Sequence, residues 1–227
     1  MFRTYSSLLL LMLSCFAMAA QTAVPSVQAN GSAILTAKPD QAQLDVAVVT
    51  NGATAQDASQ QNASLTNTVQ AALSKVLGSA GTMQTVSYYV TPLYSYTPNQ
   101  PSVIIGYTAS NTTRVTTTDL TQIGVLIDAA NQAGANSVGG LSFGLQNPEP
   151  LVEQALTQAT KQATAHAAAI AAGLGGKLGA VISAQEGSSY APVVMGGSTA
   201  AMPVTTPVQT GTVTVYATVT IQVALVL

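Results

Sequence analysis

Few side chains in this chain could carry out catalysis or bind a metal ion. The sequence has one histidine, His166, and one cysteine, Cys15. A lone histidine without a second histidine or a nearby acidic partner does not form a zinc site. Five carboxylates could in principle act as acid–base pairs: Asp40, Asp45, Asp57, Asp119 and Asp128. The sequence therefore predicts no catalytic residue, metal ligand or cofactor, and we expect a protein that is not an enzyme.

Structural roles explain these polar residues better than catalytic roles do. Asp40 follows a proline in a turn-forming sequence, and Asp119 precedes an apolar helical run, which is typical of an N-cap. Asp45 and Asp128 alternate outward from apolar neighbours. His166 lies near the edge of a helical apolar stripe, so we expect it to be structural or solvent-facing.

The tyrosines are the more informative group. Five of the eight fall within one short stretch: Tyr88, Tyr89, Tyr94, Tyr96 and Tyr107. The pattern predicts a long hairpin from Met83 to Thr117, with Tyr88 and Tyr107 as cross-strand neighbours in the core. Tyr94 and Tyr96 lie near the hairpin tip, where burial within one subunit is difficult. Tyrosine is favoured at protein interfaces, and we therefore expect these two residues to pack on another subunit.

The elements that position these residues follow a regular order. Apolar residues that recur at every second position predict strands, and those that recur about every 3.6 positions predict helices. Together they predict the order β-β-α-β-β-α-β-α-β-β, an α+β fold with three helices packed on a mostly antiparallel sheet. Gly31 is interpreted as a bulge in the first strand. Residues 21–227 form one domain in this interpretation, with residues 40–117 and 119–227 as candidate subdomains. Residues 187–207 are rich in Gly, Ser, Thr and Pro and are predicted to be a mobile loop.

The first 20 residues have the pattern of a cleaved secretory signal. A short positive region with Arg3 precedes an apolar run, and small residues follow up to Ala19 and Ala20. Export to the periplasm is the expected outcome, with lipidation at Cys15 as the minor alternative. Cleavage after Ala19 or Ala20 leaves a mature chain without cysteine, which excludes disulfides and thiolate metal sites.

Charge is scarce throughout the chain. The 227 residues include 6 basic and 8 acidic side chains. Removal of Arg3 with the signal leaves 5 basic residues against 8 acidic ones, a net charge of −3. There is no basic stripe, so nucleic acid and anionic membranes are not expected partners. Low charge reduces repulsion between copies of the chain, and it fits either self-association or adaptation to an acidic medium.

An ordered series of small motifs resembles the SIMPL-domain family, which includes bacterial periplasmic immunogenic proteins of about 26 kDa. The motifs are Asn30-Gly31, Pro39-Asp40, Leu44-Asp45-Val46, Gly106-Tyr107, Asn111, Asp119-Leu120, Gly124, Ile127-Asp128, Gly134-Ala135-Asn136, Gly139, Phe143 and Gly173-Leu174-Gly175. The resemblance implies an α+β envelope protein of undefined biochemical activity. It also implies oligomers, ring-like or channel-like in some members, and a link to stress tolerance in others. The scarcity of charge on the long helices departs from the family pattern, which puts family-like assembly in question.

Two function classes follow from the sequence. The first is a non-enzymatic periplasmic protein that assembles into homo-oligomers and contacts other envelope proteins. The alternative is a periplasmic binding module for a ligand or a protein, acting through residues 187–207 with Met195 and Met202. Two thioethers without histidine are weak copper ligands, so a flexible loop is the simpler interpretation of that segment.

Overall fold

The computed structural model describes residues 24–190, 206 and 208–227, and within them it confirms the predicted order of elements. The strands and helices are β1 (Ser26–Ala37), β2 (Gln41–Gly52), α1 (Ala55–Leu77), β3 (Gly81–Ser95), β4 (Val103–Thr117), α2 (Ile123–Gln132), β5 (Ser137–Gly144), α3 (Glu149–Gly173), β6 (Lys177–Tyr190) and β7 (Val213–Val226). A single 3₁₀ turn, Leu120–Gln122, leads into α2. The fold is α+β, as the periodicities predict.

The strands form two antiparallel sheets. One has the order β1-β7-β6 and the other has the order β3-β4-β2-β5. The strand β5 pairs with β2, and β1 pairs with β7 at the far end of the chain. A division into residues 40–117 and 119–227 therefore does not match the sheets, since each sheet uses strands from distant parts of the sequence.

The helix α3 packs on the three-stranded sheet through alanines spaced four residues apart. Ala155, Ala159, Ala163, Ala167 and Ala171 are all buried against β1 and β7. The prediction of a bulge at Gly31 is wrong, because β1 and β7 pair without a register shift through Gly31 and Val219. A Cβ at residue 31 would lie 2.0 Å from the carbonyl oxygen of Ala159. Glycine is needed there because the backbone of α3 approaches the strand directly.

The helices α1 and α2 cover one face of the four-stranded sheet. The buried residues of α1 are spaced three or four apart, with Val69 and Leu73 packed on Val46 and Val115. Asn62 is also buried, and its Nδ2 donates to the carbonyl oxygens of Val48 at 2.8 Å and Ala109 at 3.1 Å. A buried amide with these partners is satisfied, and it fastens α1 to β2 and β4.

Where β5 no longer pairs with β2, the side chain of Asn136 forms the backbone hydrogen bonds instead. Asn136 directly precedes β5; its Oδ1 atom accepts from the Val49 amide at 2.8 Å, and its Nδ2 donates to the Val49 carbonyl at 2.6 Å. Gly134 has a φ of 102°, a left-handed value that ends α2 and turns the chain towards this contact. The Gly134-Ala135-Asn136 motif is therefore explained by folding.

The structure changes one boundary of the predicted loop. The strand β6 continues to Tyr190 and pairs with β7 from Thr218 to Val215, so residues 187–190 are strand and not loop. The remainder of the predicted loop up to residue 205, including Met195 and Met202, lies outside the described residues. The predicted signal at residues 1–20, with Cys15, lies outside them as well.

Candidate functional site

The far half of the β3–β4 hairpin carries a concentrated apolar surface. We call residues 86–105 the hairpin tip, a stretch that contains no charged residue. Of the nineteen large apolar side chains that are exposed in the described residues, nine belong to the hairpin tip. They are Val86, Tyr88, Tyr89, Leu93, Tyr94, Tyr96, Val103, Ile104 and Ile105. An uncharged apolar surface of this kind is typical of a site that another protein covers.

The two tyrosines proposed from the sequence lie on this surface. Tyr94 is 42% exposed and Tyr96 is 79% exposed. Their rings are tilted by 44°, with centroids 6.4 Å apart, a spacing within the range of favourable aromatic pairs. Tyr94 pairs across the hairpin with Ile104. The interface predicted from the sequence comprises only Tyr94 and Tyr96, whereas the structure adds the exposed run Val103-Ile104-Ile105.

The hairpin tip lacks packing within its own subunit because it extends past the core. Met83 and Val115, at the base of the hairpin, join the cluster beneath α1, whereas no residue of the hairpin tip belongs to a buried cluster of the described residues. The prediction that Tyr88 and Tyr107 are neighbours in the core is wrong. Tyr88 pairs with Asn111 and is 54% exposed, and Tyr107 pairs with Pro92. Bulges in β3 and β4 set this register.

The five aspartates considered for catalysis have separate structural partners. The Oδ1 atom of Asp119 accepts from the amide and hydroxyl of Thr121 at 3.0 and 2.6 Å, which holds the pKa of Asp119 below its usual value. Asp40 accepts from the Gln146 amide, Asp57 from the Thr54 hydroxyl at the start of α1, and Asp128 from the Thr206 hydroxyl. Their bonds are those of caps and tethers, and none of them joins two carboxylates.

Asp45 has a different environment, because it pairs with Arg114. The guanidinium of Arg114 binds both carboxylate oxygens, with Nε to Oδ1 at 2.7 Å and Nη2 to Oδ2 at 2.8 Å. The hydrogen bond to Arg114 lowers the pKa of Asp45, against a smaller opposing effect of burial. The two residues face each other across β2 and β4 on the sheet face that α1 does not cover. A bidentate cross-strand pair of this kind fixes strand register.

His166 binds the backbone of an edge strand. Its Nδ1 lies 2.9 Å from the carbonyl oxygen of Asn30 on β1. One turn earlier on α3, the Oε1 atom of Gln162 accepts from the Ser32 amide at 2.6 Å. An edge strand with unpaired backbone groups is a site for unwanted pairing, and these two side chains occupy part of that edge. The expectation of a structural position thus agrees with the contacts of His166.

Residues 24–190, 206 and 208–227 hold no cluster of three or more His, Cys, Asp or Glu side chains placed to bind a metal ion. Within the same residues, no helix has both the length and the apolar content required to cross a bilayer.

Comparison with known proteins gives one family and two relatives. Residues 27–223 match the family model SIMPL, described as a protein of unknown function (DUF541). The chain is 28% identical over 133 residues to the 26 kDa periplasmic immunogenic proteins of Brucella melitensis and Brucella abortus. Each alignment covers 57% of this chain and 53% of the relative, so the chain spans about half the length of these curated relatives.

Proposed function

The chain belongs to the SIMPL family, and from this premise we propose that it is a non-enzymatic periplasmic protein that assembles into homo-oligomers through the hairpin tip. The observation that carries the proposal is the exposure of nine large apolar side chains on the uncharged hairpin tip. The periplasmic location is supported by the names of the two relatives. A contribution to stress tolerance belongs to the same proposal and rests on the family resemblance.

Burial of the hairpin tip would give a large driving force. Transfer of apolar surface out of water stabilises by about 25 cal/mol per Å². Complete burial of one large apolar side chain contributes roughly 1.5–3 kcal/mol relative to its exposed state. Burial of the nine side chains together counteracts the rotational and translational cost of association, which is about 4–15 kcal/mol. A second copy of the chain suits this surface, because neither copy has a charge in its hairpin tip that must be desolvated.

The absence of a reaction is the second part of the proposal. The five aspartates are held in caps, tethers and one ion pair, and His166 is bonded to a backbone carbonyl. Acid–base catalysis needs two groups within reach of one substrate atom, and the described part of the chain offers no such pair among the aspartates and His166.

Light scattering after size exclusion tests assembly. We expect residues 21–227 to form an oligomer of defined mass, and Tyr94→Ser with Tyr96→Ser to shift the protein to a smaller mass. Tyr216→Ser is the matched control, because Tyr216 on β7 is 42% exposed, as Tyr94 is, and lies outside the hairpin tip. An unchanged oligomer mass in the double variant would exclude the hairpin tip as the interface. A monomeric wild type would exclude assembly itself.

A further inference from the structure

A groove beside His166 has the chemistry of a ligand site. It runs along the edge of β1 and is lined by side chains from β1, β7 and α3, around a cavity of about 410 Å³. A wider hollow of about 700 Å³ adjoins it and shares Asn30 and His166. Ligand sites in proteins usually enclose roughly 300–1,000 Å³. We call the two together the His166 groove.

Polar and apolar side chains both line the His166 groove, and the described lining residues include no Asp, Glu, Lys or Arg. The polar side chains in the part of the chain that the structure describes include those of Asn30, Gln162, His166 and Tyr216. A site without charge does not favour phosphates, carboxylates or metal ions, because each needs an opposite charge or anionic ligands. It favours a neutral ligand with many hydroxyl groups.

Three of these side chains are oriented by one hydrogen bond each, which leaves their other polar atom for a ligand. The Oδ1 atom of Asn30 accepts from the Thr220 hydroxyl at 2.9 Å, which leaves Nδ2 as a donor. The Oε1 atom of Gln162 is held by the Ser32 amide, which leaves Nε2 as a donor. The bond of Nδ1 of His166 to the Asn30 carbonyl makes Nδ1 the donor and Nε2 the acceptor of the neutral ring. Among the described residues these three remaining atoms have no other partner.

We infer that the His166 groove binds a neutral saccharide. Adjacent sugar hydroxyls can accept from the Asn30 and Gln162 amides and donate to Nε2 of His166. The exposed ring of Tyr216 supplies an apolar face for the C–H groups of a sugar ring, and its hydroxyl is a further polar contact. An added peptide strand fits less well, because the Asn30 carbonyl and the Ser32 amide on this edge are already bonded to α3. The inference goes beyond assembly and does not depend on it.

Nuclear magnetic resonance titration tests the site with three neutral probes: maltotriose, cellotriose and tri-N-acetylchitotriose. We expect at least one to shift the side-chain amide signals of Asn30 and Gln162 and the His166 ring signals in a saturable manner. If no probe shifts these signals, the inference is wrong. Shifts confined to backbone amides of β1, without these side chains, would indicate strand-like pairing instead and would also overturn it.

Isosteric variants separate binding from folding. Gln162→Glu keeps the oxygen that accepts from Ser32 and removes the Nε2 donor, and we expect it to weaken binding about tenfold, the effect of one hydrogen bond. Gln158→Glu is the matched control, since Gln158 is exposed one turn earlier on α3 and outside the groove. Tyr216→Phe should retain most binding, whereas Tyr216→Ala should lose it. Equal affinities of Gln162→Glu and Gln158→Glu would contradict the inference.

Discussion

Substitution of Gly31 by alanine tests how closely α3 lies on β1. The added Cβ would be 2.0 Å from the Ala159 carbonyl oxygen and 2.5 Å from the Ala163 nitrogen. Ordinary contacts begin at 3.4 Å, so α3 must move away by about 1.4 Å, the difference between 3.4 and 2.0 Å. Both obstacles are backbone atoms, and no rotamer change can remove them.

The displacement has a predictable cost. A gap of 0.5–1 Å between packed atoms removes about a quarter to a half of their contact energy. Movement of α3 would open such a gap along its buried alanines. We expect Gly31→Ala to lower the free energy of unfolding by about 3 kcal/mol, the upper part of the usual overpacking range. For a chain of this length that corresponds to a fall in melting temperature of about 6–12 °C.

Urea denaturation followed by circular dichroism measures the effect at a fixed protein concentration. Gly139→Ala is the control, because a Cβ at residue 139 meets no atom of the described residues within 4 Å, and it should leave stability unchanged or slightly higher. Ala159→Gly added to Gly31→Ala should give no rescue, since the obstacle is a backbone oxygen. Equal stability of Gly31→Ala and Gly139→Ala would refute the close approach of α3.

Two further predictions concern the four-stranded sheet. Asn136→Ala removes both hydrogen bonds to Val49, so we expect it to lower the free energy of unfolding by about 1–3 kcal/mol and to speed hydrogen exchange at the Val49 amide. The control is Asn131→Ala, at an exposed position of α2, which should leave that exchange unchanged. Equal exchange rates in the two variants would contradict the role of Asn136. Arg114 lowers the folded-state pKa of Asp45 below 3.8, so the pair stabilises at neutral pH and loses its effect as pH falls through that lower value. Arg114→Gln should therefore be less stable than wild type at neutral pH and equally stable in strong acid. Urea denaturation across pH measures this, and a stability difference that does not depend on pH would contradict the ion pair.

The elements of the fold were largely predictable from local patterns. Val213 to Val226 alternates through one buried face, and the alanines of α3 recur every four residues, so both elements follow from periodicity alone. Asp119 also acts as a cap, as its position before an apolar run predicts.

Contacts between distant segments were not predictable. Gly31 was interpreted as a bulge because nothing local indicates that α3 passes over it, some 130 residues later in the chain. Tyr88 and Tyr107 were assigned to the core because both continue the alternating pattern of the hairpin, and alternation does not reveal that the hairpin extends past the cluster beneath α1. The orienting bonds of the His166 groove join residues more than 100 positions apart, and for the same reason the groove had no signal in the sequence.

The most direct test of assembly is the solvent exposure of the hairpin tip in solution. Hydroxyl-radical footprinting of residues 21–227 over a range of concentrations compares oxidation of Tyr94 and Tyr96 with that of Tyr216 as an internal reference. If the hairpin tip packs on a second copy, Tyr94 and Tyr96 will be protected at high concentration and will become reactive on dilution, while Tyr216 does not change. Oxidation of Tyr94 and Tyr96 that is fast at every concentration, in proportion to their exposure in the single subunit, would contradict the proposed interface.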